Sequence, residues 1–327
     1  MKISNGIFIV GFLFSLHVSA QFPPSAGQAG STAIRNDSSA IVAWATGCSV
    51  VRGFMDISIP DGGFAEAGSI DNTLGFAEGN PVKTLSLGDA GEATLTFAYP
   101  VSNGSGPDFA VFENGFDDHF LELAFVEVSS DGHSFFRFPS FSNTDTSSQI
   151  PTFGTMDPTR IHNLAGKYRA GFGTPFDLSE LGNPAGLNLN RITHIKIIDV
   201  VGSIMPEFAS RDSQGRIVND PFPTPFPTGG FDLDGIGVIH QETNATEDFL
   251  SSLSIKVYPN PVFHSFRIEG TPSEVKNVIL QATDGRRYCL KPGVQGHYSV
   301  SALAAGLYIL TPELPGTFLP VKILIYQ

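Results

Sequence analysis

In several stretches of the chain apolar and polar residues alternate with a period of two, and the three-to-four spacing of a long helix is scarce. The pattern therefore predicts strands. Residues 91–99 alternate small or polar with apolar positions, and residues 108–113 form a nearly continuous apolar strand that stops at Asn114-Gly115. A hairpin follows: residues 121–128 as one strand, Ser129-Ser130-Asp131-Gly132 as the turn, and residues 134–138 as the return. From 139 to 190 the chain is rich in Ser, Thr, Gly and Pro, with one helical turn predicted from Asp157 as cap, Pro158 at its first position and Gly166 as its stop. Strand pattern returns over 192–199, and a last strand over 231–239 comes after a long insertion. Loops of that length in a compact domain are functional or disordered. Short strands, a hairpin and long connections together predict an all-β, two-sheet antiparallel sandwich of jelly-roll type over residues 21–242.

Both ends of the chain carry different patterns. Met1-Lys2 precedes an apolar run from Ile7 to Val18, and Val18-Ser19-Ala20 offers small residues for cleavage, so residues 1–20 read as a secretory signal peptide. That run falls short of the roughly 18–20 apolar residues that cross a bilayer, and no transmembrane segment is expected elsewhere. Residues 243–252 are polar and read as a linker. Beyond them, alternation over 266–269 and 278–281 with a turn at Asp284-Gly285 predicts a second, smaller β unit over 253–327.

Three stretches of that second unit stand in a telling order: Lys256-Val257-Tyr258-Pro259-Asn260-Pro261, Gly306-Leu307-Tyr308-Ile309, and Val321-Lys322-Ile323-Leu324-Ile325-Tyr326. The segment resembles the C-terminal sorting domain (type A) of the type IX secretion system. The resemblance implies a small immunoglobulin-like sandwich, the type IX secretion machinery as a partner, and a protein secreted to, or held at, the outer surface of a Gram-negative cell. Spacing over 294–301 is looser than the family pattern. In the first unit, Val126-Glu127-Val128-Ser129-Ser130-Asp131-Gly132 and the closing Phe231-Asp232-Leu233-Asp234 resemble galactose-binding-like and carbohydrate-binding-module jelly rolls, while Phe112-Glu113-Asn114-Gly115-Phe116, Lys167-Tyr168-Arg169-Ala170-Gly171 and Gly230-Phe231-Asp232-Leu233-Asp234 resemble a group of secreted bacterial surface proteins. This second likeness implies fold and boundaries, with no activity attached.

Composition narrows the function classes. A net charge of -13 and a pI near 4.9 speak against nucleic acid, whose phosphates need clustered Lys and Arg. The two cysteines, Cys48 and Cys289, fall in different units and are expected to be buried small hydrophobes. Acid excess outside a cell also admits calcium, a hard cation that takes oxygen ligands.

Asp232 and Asp234 lie two apart on a predicted strand and so leave one face, with no Lys or Arg beside them to offset their repulsion. The jelly-roll likeness nominates them as ligands of a structural calcium ion, with Asp199 and Asp56 adding oxygens. The competing reading is a pair of solvated carboxylates. Glu113, Asn114, Asp117, Asp118 and His119 form a second cluster at a strand end, either a ligand site or a turn with exposed acids. A third candidate is the loop carrying Arg216, Phe222 and Phe226, where prolines stiffen an aromatic contact surface. Its two phenylalanines can equally fold back over the sandwich.

A glycan platform favours Trp and Tyr, yet the first unit holds one Trp and two Tyr. No nucleophile elbow, zinc-protease motif or phosphate loop occurs, and a carboxylate pair such as Glu113 and Glu127 arises easily by chance. The sequence thus favours a ligand-binding or partner-binding sandwich over an enzyme. Two rivals stay open: a glycan-active hydrolase on the same sandwich, and a capture protein for a glycan or corrinoid beside an outer-membrane transporter.

Overall fold

The computed structural model describes residues 22–242, 256–269, 277–293, 296–312 and 321–326. The expected signal peptide (1–20) and linker (243–252) lie outside the described residues. The chain divides into two compact units between Glu242 and Thr243.

The first unit opens with β1 (Ile34–Arg35), β2 (Ala43–Trp44), β3 (Gly47–Val51) and β4 (Leu85–Ser86). Then come β5 (Glu92–Val101), β6 (Phe109–Glu113), β7 (Ala124–Ser129), β8 (Phe136–Arg137) and β9 (Phe141–Ser142). It closes with β10 (Ile161–His162), β11 (Phe172–Phe176), β12 (Ile192–Asp199) and β13 (Asp232–Val238). One antiparallel sheet runs β1-β11-β6-β13-β2 with β4 added on β13, and the other runs β3-β5-β12-β7-β8. Set aside β1, β3 and β4, and the orders 2-13-6-11 and 5-12-7-8 remain. That is a jelly roll: two four-stranded sheets with the chain stepping between them.

The period-two pattern accounts for the core. Leu95, Val126, Val128, Ile195 and Ile197 of one sheet face Phe109, Val111, Leu233, Ile236 and Val238 of the other, all essentially inaccessible to water. A satellite core of Leu121, Leu123, Phe125, Met156, Ile161, Leu164, Val200 and Val218 seats the long connections. These are the connections from β6 to β7, β9 to β10 and β12 to β13. The segment between β3 and β5 lies over the outer side of the first sheet, packing Ala77 on Ala110 and Phe112. Arg52 fastens it, donating to the carbonyls of Ala67 (2.7 Å), Gly68 (2.7 Å) and Ser86. As a result β13 is buried along its whole length.

Two expectations change. Asp157 does cap a turn with Pro158 at its start, accepting from the Thr159 amide, but the turn is a three-residue 3-10 helix that gives way to β10 at Ile161. Gly166 does something else: at φ +81° it passes so close to Glu122 that a Cβ there would sit 1.8 Å from the Glu122 carbonyl oxygen. Both cysteines are free, and Cys289 is exposed where burial was expected, because it falls on the outward phase of its strand.

The second unit pairs β14 (Lys256–Tyr258), β15 (Ser265–Glu269) and β18 (Tyr298–Ser299) in one sheet. Its other sheet has the order β17 (Arg287–Leu290), β16 (Val278–Ala282), β19 (Gly306–Pro312), β20 (Val321–Ile325). Three plus four antiparallel strands around Phe266, Val278, Leu280, Tyr298, Leu310, Ile323 and Ile325 make an immunoglobulin-like sandwich, with the fourth strand moved onto the second sheet. Asn260 of the Tyr-Pro-Asn-Pro stretch clamps the last strand: its amide donates to Lys322 O (2.9 Å), and its carbonyl accepts from Leu324 N (3.0 Å).

Candidate ligand-binding site

At one end of the jelly roll, where β6 ends and β13 begins, three connections meet around a cleft of about 170 Å³. Asn114, Glu122 and Asp232 contribute polar lining. Phe116, Phe120, Phe153 and Phe226 form an unbroken row of rings, with successive centroids 5.6, 6.3 and 6.1 Å apart. Three of these rings are open to solvent: Phe153 (76%), Phe116 (71%) and Phe226 (40%). Among the described residues no Lys, Arg or His lines the cleft.

The loops that carry Phe153 and Phe226 are fixed by hydrogen bonds to backbone carbonyls. Phe222 N donates to Ile150 O (3.0 Å), Thr152 Oγ1 to Pro223 O (2.7 Å), and the amides of Glu66 and Ala67 to Pro227 O (3.0 Å each). Phe222 itself is buried and anchors the loop from below. Phe226 is thereby presented by a braced loop, which lowers the ordering entropy of any contact it makes.

Asp232 Oδ1 accepts from the Ser86 hydroxyl, and Oδ2 from Asn114 Nδ2 (3.0 Å). Burial nevertheless raises its pKa to about 6, against the lowering effect of those two bonds and of Arg52. Glu122 makes no side-chain hydrogen bond among the described residues. Burial, followed by the charges of Glu113, Asp232, Asp220 and Asp199, pushes it well above the usual carboxylate range. Behind the lining, Glu113 Oε2 accepts from Gly115 N (2.6 Å) while Oε1 is buried without a partner among the described residues. Asp220 is similar: Oδ2 accepts from Leu123 N (2.8 Å) and Oδ1 has no partner among the described residues. Burial raises both acids well above the ordinary range, and the Asp232 charge adds to it at Glu113. The cleft therefore has an acid-rich floor with unspent oxygens and an aromatic rim.

Of the sequence candidates, Asn114, Phe226 and Asp232 meet in this cleft with Glu113 just beneath. Arg216 does not join them. Its guanidinium is spent on Asp212 (2.8 and 2.6 Å) and on Asn143, in a shallow hollow beside Phe22 and Phe141. Phe222 is an internal anchor and offers no contact surface. Asp117 and Asp118 are turn acids: Asp117 accepts from the amides of His119 and Phe120 (2.7 Å each), and Asp118 pairs with Arg169. Glu127 reaches Arg137 (2.8 Å) from the other sheet and cannot act with Glu113.

The carboxylates nominated for calcium are each held by separate partners. Asp199 accepts from Phe231 N (2.7 Å) and Ala90 N (3.1 Å), Asp234 from Gly79 N (2.8 Å), and Asp56 from the amide and hydroxyl of Ser58. Among the described residues no three His, Cys, Asp or Glu are placed to hold a metal ion. Asp232, Asp234, Asp199 and Asp56 form no single carboxylate cluster among the described residues. Burial of β13 on both faces and a register shift at Asp234 undo the one-face alternation that grouped them.

Sequence reasoning missed Glu122, Phe116, Phe120 and Phe153 as site residues. Glu122 reads as one outward position of a strand, and Phe153 sits in a Ser/Thr/Pro-rich stretch without pattern. Their convergence is a property of the topology.

No protein-family model matches the chain, and no curated protein matches it in sequence. Among solved structures, one described as "Biofilm associated protein - BSP domain" aligns at 9% identity and a TM-score of 0.20. The alignment covers 72% of this chain and 48% of that one, so this chain spans about half of it.

Proposed function

We propose that this is a secreted protein of the outer surface of a Gram-negative cell, whose jelly-roll unit binds a small ligand in the cleft between Phe153, Phe226 and Asp232. The observation that carries the binding reading is the row of four phenylalanines, three of them exposed, over a carboxyl floor at a braced strand end. Exposed aromatic rows of this kind are costly to solubility and mark contact sites. Export runs through the type IX secretion machinery, with residues 253–327 as the sorting domain. Its support is the three quoted stretches together with a sandwich in which the first of them holds the last strand.

A second reading, glycan hydrolysis on the same cleft, rests on two carboxyls, Glu122 and Asp232, sharing one lining. It is separated from binding by turnover. A glycan, cofactor and amine array probed with the mature chain tests the main reading. Phe153→Ala/Phe226→Ala is expected to lose the captured ligand by at least about tenfold, since each stacked ring contributes roughly 1 kcal/mol or more. Retention of full affinity by that variant, with unchanged melting temperature, sinks the assignment.

A further inference from the structure

We infer that the cleft selects a small organic cation, an alkylammonium or quaternary ammonium group seated between the phenylalanine row and the carboxyls of Glu122 and Asp232. This rests on the reading of the cleft as the binding site and goes on to name the chemistry it reads.

Rim and floor are complementary to the same charge. Aromatic faces carry a negative quadrupole and attract a cation within about 6 Å of the ring. Carboxylates attract it too. Both kinds of lining therefore select one ligand class, and no basic side chain among the described residues lines the cleft to compete for it. A neutral sugar uses the rim less well, because phenylalanine has no polar edge to stay wet beside a hydroxylated ring.

Glu122 is the decisive residue. It is half-buried, lines the cleft, and has no hydrogen-bond donor among the described residues. The charges that act on it most are those of Glu113, Asp232, Asp220 and Asp199, all acids. Arg52 acts on Asp232, and its guanidinium is committed to three backbone carbonyls. A carboxyl so surrounded favours its neutral form in the empty protein and its charged form once a cation arrives. Cation binding thus releases protons, and affinity is full above the free-protein pKa and falls as pH drops through it.

Choline and its neutral isostere 3,3-dimethylbutan-1-ol are suitable probes, titrated calorimetrically into the mature full-length chain at pH 5 and pH 8. The expected result is choline binding at least about tenfold tighter than the alcohol at pH 8. Most of that advantage is expected to be lost at pH 5, because Asp232 titrates near 6. Glu122→Gln should weaken choline about tenfold and leave the alcohol unchanged; should it fail to fold, Asp232→Asn serves. Equal binding of both probes, with both lost in Phe153→Ala/Phe226→Ala, overturns the cation inference and keeps the cleft. No choline binding at millimolar concentration also overturns it. Binding that ignores both sets of variants overturns the cleft as well.

Discussion

Asp234, Asp232 and Asp89 are buried carboxyls whose hydrogen bonds only partly offset their removal from water, and each titrates near pH 6. A carboxyl raised in the folded state favours folding fully below its unfolded pKa, about 4, and that contribution disappears as pH rises to about 6. Asp234→Asn keeps an acceptor for Gly79 N and removes the charge. Urea unfolding at pH 4.5 and 7.5 should therefore show the variant gaining about 2 kcal/mol on the parent between the two, at 1.36 kcal/mol per pKa unit. An identical pH dependence in both proteins would show that Asp234 is not perturbed. Residue identity alone could not reveal this. The same Asp-Leu-Asp letters read as outward carboxylates until the covering segment from Arg52 to Gly91 is in place.

At the scale of elements, much of the strand pattern was legible. The predicted strand over 192–199 coincides with β12, and the hairpin turn at Ser129 to Gly132 joins β7 to β8. Alternation works there because one face of each strand meets a single core. It fails over 139–190, where short pieces such as β9 and β10 are positioned by loops and contacts far away in sequence. Gly166 illustrates the gap. It reads as a helix stop, yet its work is to let the chain pass against the Glu122 carbonyl under the cleft. Gly166→Ala combines a left-handed φ with a clash against backbone, at a cost of about 3 kcal/mol. The first unit should then melt roughly 6–12 °C lower by calorimetry, at about 2–4 °C per kcal/mol for a unit of this size. A shift under about 1 °C would show that the segment yields freely.

Across the whole molecule, the proposed function divides the work between the two units: the jelly roll presents the cleft, and the smaller sandwich carries the chain out of the cell. The cleft was half legible. Asn114, Phe226 and Asp232 were in view because turn chemistry, proline stiffening and a terminal strand flag them locally. Glu122 and Phe153 needed the crossing of three connections. Arg216 and Phe222 were misread because a side chain's local setting does not tell whether an internal partner has already claimed it. The most direct measurement follows one chain through both steps. A version ending at Glu242 is expressed in the native type of host beside the full-length protein, and each cell fraction is assayed for the protein and for retention of the array-identified ligand. The expected result is a shortened chain that stays inside the cell envelope while binding the ligand with parental affinity. A shortened chain that reaches the outside of the cell at the parental level, or one that is folded yet no longer binds, would contradict this division of labour.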